Sequence, residues 1–168
     1  MIVVVLGVSG SGKTTVGQAL STLTGYSFLD ADDYHPHANI AKMSRGEPLT
    51  DADRAPWLEI LRTEMAERLA RGEDAILACS ALKKAYRQQL QIDPARVRFV
   101  YLKVSPELLQ KRLEQRPGHF MQSSMLRSQL EALEEPDQRE ALAVEVLADS
   151  TPATLASTIQ KSLSEKFT

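Results

Sequence analysis

The 168-residue chain carries 20 Lys plus Arg against 22 Asp plus Glu, a formal net charge of −2 that gives no long-range field for nucleic acid or a membrane surface. At this length one hydrophobic core suffices, burying roughly 70% of the unfolded surface. The apolar run Ile2 to Leu6 follows no basic leader and falls far short of the roughly 20 residues that span a bilayer, so a cytoplasmic protein is expected. Cys79 is the only cysteine, which rules out an internal disulfide and a cysteine-based zinc cluster and suits a small buried hydrophobe at a strand end.

Ile2 to Leu6 is β-branched without alternation, the pattern of a parallel strand covered on both faces. Similar runs recur at Ser27 to Asp30, Ala75 to Cys79, Phe99 to Val104 and Ala143 to Leu147, separated by helix-length stretches. Strands alternating with helices predict an α/β layered fold in one domain, residues 1–168. Trp57, Leu61, Met65 and Leu69 give a helix entered near Pro56 one apolar stripe for the sheet. Ser105-Pro106-Glu107 reads as an N-cap, a proline at the first helical position and an acid in the first turn, opening a helix that Pro117-Gly118 stops. A lid over about residues 116–125 is expected to follow, and residues 35–55, poor in apolar periodicity, are expected to form a substrate-binding segment.

Gly7-Val-Ser9-Gly10-Ser11-Gly12-Lys13-Thr14 satisfies G-x-x-x-x-G-K-[ST], and it lies between a buried strand and a helix carrying Val16, Leu20 and Leu23. The glycines let the backbone curl so that successive N–H groups face a β-phosphate, and the helix N-terminus adds its positive end. Lys13 then bridges the β- and γ-phosphates of ATP, the Thr14 hydroxyl ligates magnesium, and Thr15 reaches the α-phosphate. Two other users of such a loop are disfavoured. A GTPase needs N-K-x-D, but the sole asparagine, Asn39, is followed by Ile40-Ala41-Lys42. A motor or transport ATPase usually ends a hydrophobic strand in Asp, where Ile76 to Cys79 leads into Ser80. A small-molecule kinase tolerates that difference best.

Asp30 and Asp32 follow the second strand, at the carboxyl edge where ligands bind in open α/β sheets. In an extended segment they point the same way, one toward the magnesium shell and the other toward the proton of the attacking hydroxyl. Asp53 and Arg54 precede the Trp57 helix, while Ser80, Lys83 and Arg87 follow the third strand, and together they suggest a polar pocket with cations for an acidic substrate. Arg112 and Arg116 lie one helical turn apart ahead of the lid, placed to neutralise charge on the transferred phosphate. His35, His37 and Asp33 lack a further well-spaced ligand for zinc. Adenine contacts are expected near Asp149 to Pro152.

Taken together, these residues resemble the gluconate kinases of the P-loop type, relatives of shikimate and nucleoside monophosphate kinases. Besides the P-loop, the likeness covers Asp30-x-Asp-x-x-His-Pro36, Asn39-x-x-Lys-Met43 and Gly46-x-Pro-Leu-x-Asp51-x-Asp-Arg-x-Pro-Trp57. It continues in Cys79-Ser-Ala-Leu-Lys83 with Tyr86-Arg87, and in Arg116-x-Gly-His-Phe120 with Ser128-Gln129. Tyr34 and Gln91 depart from the pattern, away from the expected chemistry. The resemblance implies phosphorylation of D-gluconate to 6-phosphogluconate by ATP with magnesium, a shikimate-kinase-like parallel sheet of order 2-3-1-4-5, and a homodimer. It makes Asp32, Arg54 and Lys83 the leading substrate contacts, with His35, Asn39 and His119 as further ones. Asp32, second of its pair and just ahead of His35, is then the expected base, with Asp30 nearer the magnesium. A shikimate kinase would carry a glycine triplet where this chain has Cys79-Ser80-Ala81. In a nucleotide-binding regulator without turnover, the carboxylate pair and lid arginines would be surplus.

Overall fold

The structure, a computed structural model, describes residues 1–115 and 120–166. Five parallel strands form one sheet in the order β2-β3-β1-β4-β5. They are β1 (Ile2–Leu6), β2 (Ser27–Asp30), β3 (Ala75–Cys79), β4 (Val97–Val104) and β5 (Ala141–Val146). The helices are α1 (Lys13–Thr24), α2 (His37–Ser44), α3 (Asp51–Ala70), α4 (Lys84–Leu90), α5 (Pro106–Glu114), α6 (Phe120–Ala132) and α7 (Pro152–Lys166). A short 3₁₀ turn, Ala31–Tyr34, joins β2 to α2.

Both faces of β1 are buried, as its unbroken apolar run requires. Ile2, Val4 and Leu6 pack with Trp57, Leu61 and Met65 of α3 on one side. Val3 and Val5 pack with Leu20 of α1, Leu109 of α5 and Ile159 of α7 on the other. The result is three layers, helix, sheet and helix, with the expected strand order.

Three boundaries differ from the sequence expectation. β4 begins two residues earlier, at Val97, and β5 covers 141–146 in place of 143–147. α3 starts at Asp51, ahead of Pro56. The reason is a capping box: the Asp53 N–H donates to the Thr50 side chain, and the Thr50 N–H donates back to the Asp53 carboxylate. Two satisfied amides hold the first turn, so the helix accommodates the proline inside it. At α5 the Ser105 hydroxyl accepts from the Leu108 N–H at 3.2 Å, the expected N-cap. Among the described residues no helix is long and apolar enough to cross a membrane.

Candidate active site

The loop between β1 and α1 closes on two glycines in the left-handed region, Gly10 at φ 80° and Gly12 at φ 97°. A side chain at either position would strain the backbone, and Gly12 is also the N-cap of α1. The helix thus begins with its N–H groups open toward the loop, an anion-binding arrangement. Lys13 Nζ folds back and donates to the Val8 carbonyl at 3.0 Å. Burial pushes its pKa down, and the Asp32 charge opposes that shift. Ser11 is fully buried, so its contribution to a ligand comes through the backbone. The Thr15 hydroxyl donates to the Gly12 carbonyl at 3.1 Å.

Beside the loop, Thr14 Oγ1 donates to Asp30 Oδ2 at 2.9 Å, while Asp30 Oδ1 accepts from the Asp32 N–H at 3.0 Å. Asp30 is therefore held by both its oxygens at the end of β2. A hydroxyl and a carboxylate side by side at a phosphate loop fit magnesium, which takes one or two protein oxygens and completes its shell with phosphate and water. Asp32 is exposed, its side chain 81% accessible, at the carboxyl end of the sheet beside Asp30. Partial desolvation by the surrounding protein, and secondly the Asp30 charge, push its pKa upward, an effect that its exposure to solvent keeps modest.

Behind Asp32 stands a chain of buried groups. Asn39 Nδ2 lies 3.2 Å from His35 Nδ1 and donates to the Asp53 carbonyl at 2.9 Å. An amide N–H₂ only donates, so Nδ1 is the acceptor and the imidazole proton sits on Nε2, 3.8 Å from Asp32 Oδ1. Burial lowers the pKa of His35, which favours this neutral form. The His35 ring stacks on Trp57, whose indole N–H donates to the Ala31 carbonyl at 2.7 Å. α3 thereby fixes the turn that carries Asp32.

Where the acceptor was expected lies a small cavity of about 180 Å³ whose lining includes Asp51, Arg54, Lys83 and Gln129. Arg54 donates to the Leu49 carbonyl at 2.6 Å, and Lys83 donates to Asp51 at 2.8 Å. The Tyr86 hydroxyl donates to the same carboxylate, and both cations lie 5.7 Å from the Tyr86 ring centre. The hydrogen bonds from Lys83 and Tyr86 lower the Asp51 pKa, and Asp51 in turn raises that of Lys83. On the opposite side of the phosphate loop, Arg112 donates to the Gly10 carbonyl at 3.0 Å. It lines a cavity of about 400 Å³ with Gly12, Thr15, Ser150 and Pro152, where adenine contacts were expected.

The structure therefore brings the loop, Asp30, Asp32, Arg54, Ser80 and Lys83 to the carboxyl edge of the sheet, with Arg112 across the loop. It places three expected substrate contacts elsewhere. Arg87 is 2% exposed and donates to the Ala81 and Leu82 carbonyls at 3.2 and 3.1 Å, with Glu140 3.5 Å away. These bonds hold the turn after β3, where Ala81 adopts a φ of 40°. His35 and Asn39 likewise face inward, with the His35 side chain 4% and Asn39 3% exposed. They stand behind Asp32 and are not among the residues that line the cavity of Arg54 and Lys83. Arg116 and His119 lie outside the described residues, as does the first part of the expected lid. Cys79 is buried at the end of β3, and burial pushes its thiol up to about 12.

Sequence reasoning assigned no role to Asp51, Tyr86 or Gln129. The spacing Thr50-x-x-Asp53 was the available signal for Asp51, because a capping box puts it on the first turn of a helix facing the cleft.

Residues 2–139 match the family described as an AAA domain. A gluconokinase from Gluconobacter oxydans (strain 621H) is 50% identical over 137 residues, covering 82% of this chain and 77% of the relative. This chain belongs to the gluconokinase family. The crystal structure of a gluconokinase from Sinorhizobium meliloti 1021 superposes with a TM-score of 0.80 at 42% identity, covering 98% of this chain and 95% of the other. A shikimate kinase from Aquifex aeolicus, 20% identical with a TM-score of 0.61 over 99% and 98% of the two chains, shares the fold.

Proposed function

We propose that this protein transfers the γ-phosphoryl group of ATP to the terminal hydroxyl of D-gluconate, giving 6-phospho-D-gluconate and ADP. The observation that carries the reading is the arrangement at the carboxyl edge of the sheet. A phosphate cradle, an exposed carboxylate and a cavity walled by Arg54 and Lys83 stand side by side there. Two cations suit a carboxylate, and a cavity of about 180 Å³ suits a six-carbon acid.

In the reaction the acceptor oxygen attacks phosphorus in line, the bond to the β,γ-bridging oxygen breaks, and ADP departs with that electron pair. The acceptor proton passes to Asp32 and then to solvent. Lys13, charged between the phosphates, and the loop amides stabilise negative charge on the transferring group and the leaving oxygen. Gly7, Ser9, Gly10, Ser11 and Gly12 hold the phosphates through the backbone, and Arg112 and Arg116 complete the donor side. Thr14 and Asp30 would hold magnesium, which draws charge from the phosphate oxygens when bound. Arg54, Lys83, Ser80 and His119 hold the acid. Asp51 keeps Lys83 oriented until the acid arrives.

The same reading takes the chain as one catalytic domain, with residues 35–55 as the substrate segment and 116–125 as a lid. It acts as a cytoplasmic homodimer, with neither nucleic acid nor membrane as partner. A coupled assay over a panel of aldonic acids, polyols and shikimate tests the function. D-gluconate should give the highest kcat/KM, and preference for shikimate or a neutral polyol would overturn the assignment.

A further inference from the structure

Gln129 of α6 reaches the phosphate loop, where its Oε1 accepts a hydrogen bond from the Ser9 N–H at 2.5 Å. Only the carbonyl end of an amide accepts from an N–H, so the Nε2 end is left for other partners. Gln129 also lines the acceptor cavity with Arg54 and Lys83. One side chain thus touches the donor cradle and borders the acceptor pocket.

Its helix is anchored at the C-terminal end. Just beyond α6 the Glu134 N–H donates to the Leu82 carbonyl at 2.9 Å, and the Glu134 carboxylate accepts from the Lys84 N–H at 2.8 Å. The end of α6 is tied to the turn after β3, five residues beyond Gln129. The Ser9 N–H belongs to the loop whose amides serve phosphate oxygens. A charged acceptor forms a bond roughly twice as strong as a neutral one, so phosphate displaces the Gln129 carbonyl from Ser9.

We propose that Gln129 is a substrate-binding residue that couples the two substrates. Nucleotide phosphate takes the Ser9 N–H and frees the Gln129 amide to hydrogen-bond a hydroxyl of the acceptor beside Arg54 and Lys83. The coupling is reciprocal, so the sugar acid tightens nucleotide binding by the same factor. This inference rests on the kinase reading above.

Calorimetric titration of a non-hydrolysable ATP analogue with magnesium and of D-gluconate, each alone and each with the other saturating, tests it. In the wild-type protein each ligand should bind about 2- to 10-fold tighter with the other present, the yield of one neutral hydrogen bond. Gln129→Met keeps the size and loses both ends of the amide. It should bind nucleotide alone as tightly as wild type or tighter, because a competitor for Ser9 is gone, and should lose the enhancement for both ligands. A purely structural role predicts instead that both ligands weaken together with the enhancement retained, and that result overturns the proposal. Gln129→Glu sets a negative charge beside the incoming phosphate and should weaken nucleotide binding. Unchanged nucleotide affinity in that variant would place the side chain away from the phosphates and likewise overturn it. If wild-type protein binds nucleotide but not gluconate, the acceptor assignment fails and the coupling fails with it. Gluconate binding with an enhancement that survives Gln129→Met sinks the coupling alone.

Discussion

The imidazole of His35 lies parallel to the indole of Trp57, with ring centres 4.4 Å apart and planes inclined by 13°. The stack and the Asn39 amide leave His35 one free polar edge, Nε2, which faces Asp32. His35→Phe keeps the stack and removes that edge. We expect kcat to fall about 2- to 5-fold, the worth of a weak exposed electrostatic contact at 3.8 Å, with gluconate KM little changed. A rise in KM with constant kcat would make His35 a direct substrate contact after all.

The same residue gives a signed pH dependence. Burial holds the folded pKa below the ordinary 6.5, so between the two values the unfolded chain binds more protons. Stability therefore falls as pH drops through 6.5 toward the lowered folded value, and this contribution is level below it. Urea midpoints from pH 7 to 5 should decline more steeply for wild type than for His35→Phe. Parallel declines would show that His35 is not the titrating group.

Arg54 is held by the Leu49 carbonyl with part of its guanidinium turned to the acceptor cavity. Arg54→Ala should raise KM for gluconate by roughly 10- to 150-fold, the cost of a charged hydrogen bond, and leave KM for ATP unaltered. Equal changes in both constants would refute the assignment to the acid.

Arg87 behaves differently because its donors serve the Ala81 and Leu82 carbonyls. Arg87→Met should cost about 1 to 3 kcal/mol of stability through the unpaired carbonyls and the Glu140 carboxylate left behind. For a chain of this size that lowers Tm by about 2–4 °C per kcal/mol. A folded variant of wild-type Tm with a selectively raised gluconate KM would return Arg87 to the substrate site.

The contrast between Arg54 and Arg87 shows what was legible in the sequence. The phosphate loop could be read because its chemistry is local: eight consecutive residues carry the glycines, the lysine and the hydroxyl. β1 and β3 were legible because burial on both faces writes an unbroken apolar run, and both strands begin and end where those runs do. Whether an arginine just after a strand turns outward or inward depends on carbonyls supplied by a turn with positive φ and on a glutamate 53 positions away, Glu140 against Arg87. The Asn39, His35 and Asp32 relay needs Trp57 as its floor, and the Ser9 to Gln129 bond spans 120 positions. Spacing along the chain carries no signal for either.

Lys13 Nζ is placed in the loop with its pKa lowered by burial, and a bound phosphate would oppose that shift. No other side chain of the motif can set a cation between the β- and γ-phosphates. Lys13→Met should abolish transfer while leaving the thermal transition in place. Near wild-type kcat in that variant would remove the phosphate loop from the reaction.

Asp32 carries the central claim, that an exposed carboxylate takes the proton of the acceptor hydroxyl while Asp30, bonded to Thr14, stays with the phosphate side. The deciding measurement is kcat for Asp32→Asn with saturating ATP, magnesium and D-gluconate. The substitution keeps shape and removes the charge, so kcat should fall by about 10²- to 10⁴-fold, the usual contribution of a general base, with nucleotide affinity little altered. Retention of more than about a tenth of wild-type kcat, with Asp30→Asn crippled instead, would contradict this assignment and exchange the two carboxylates.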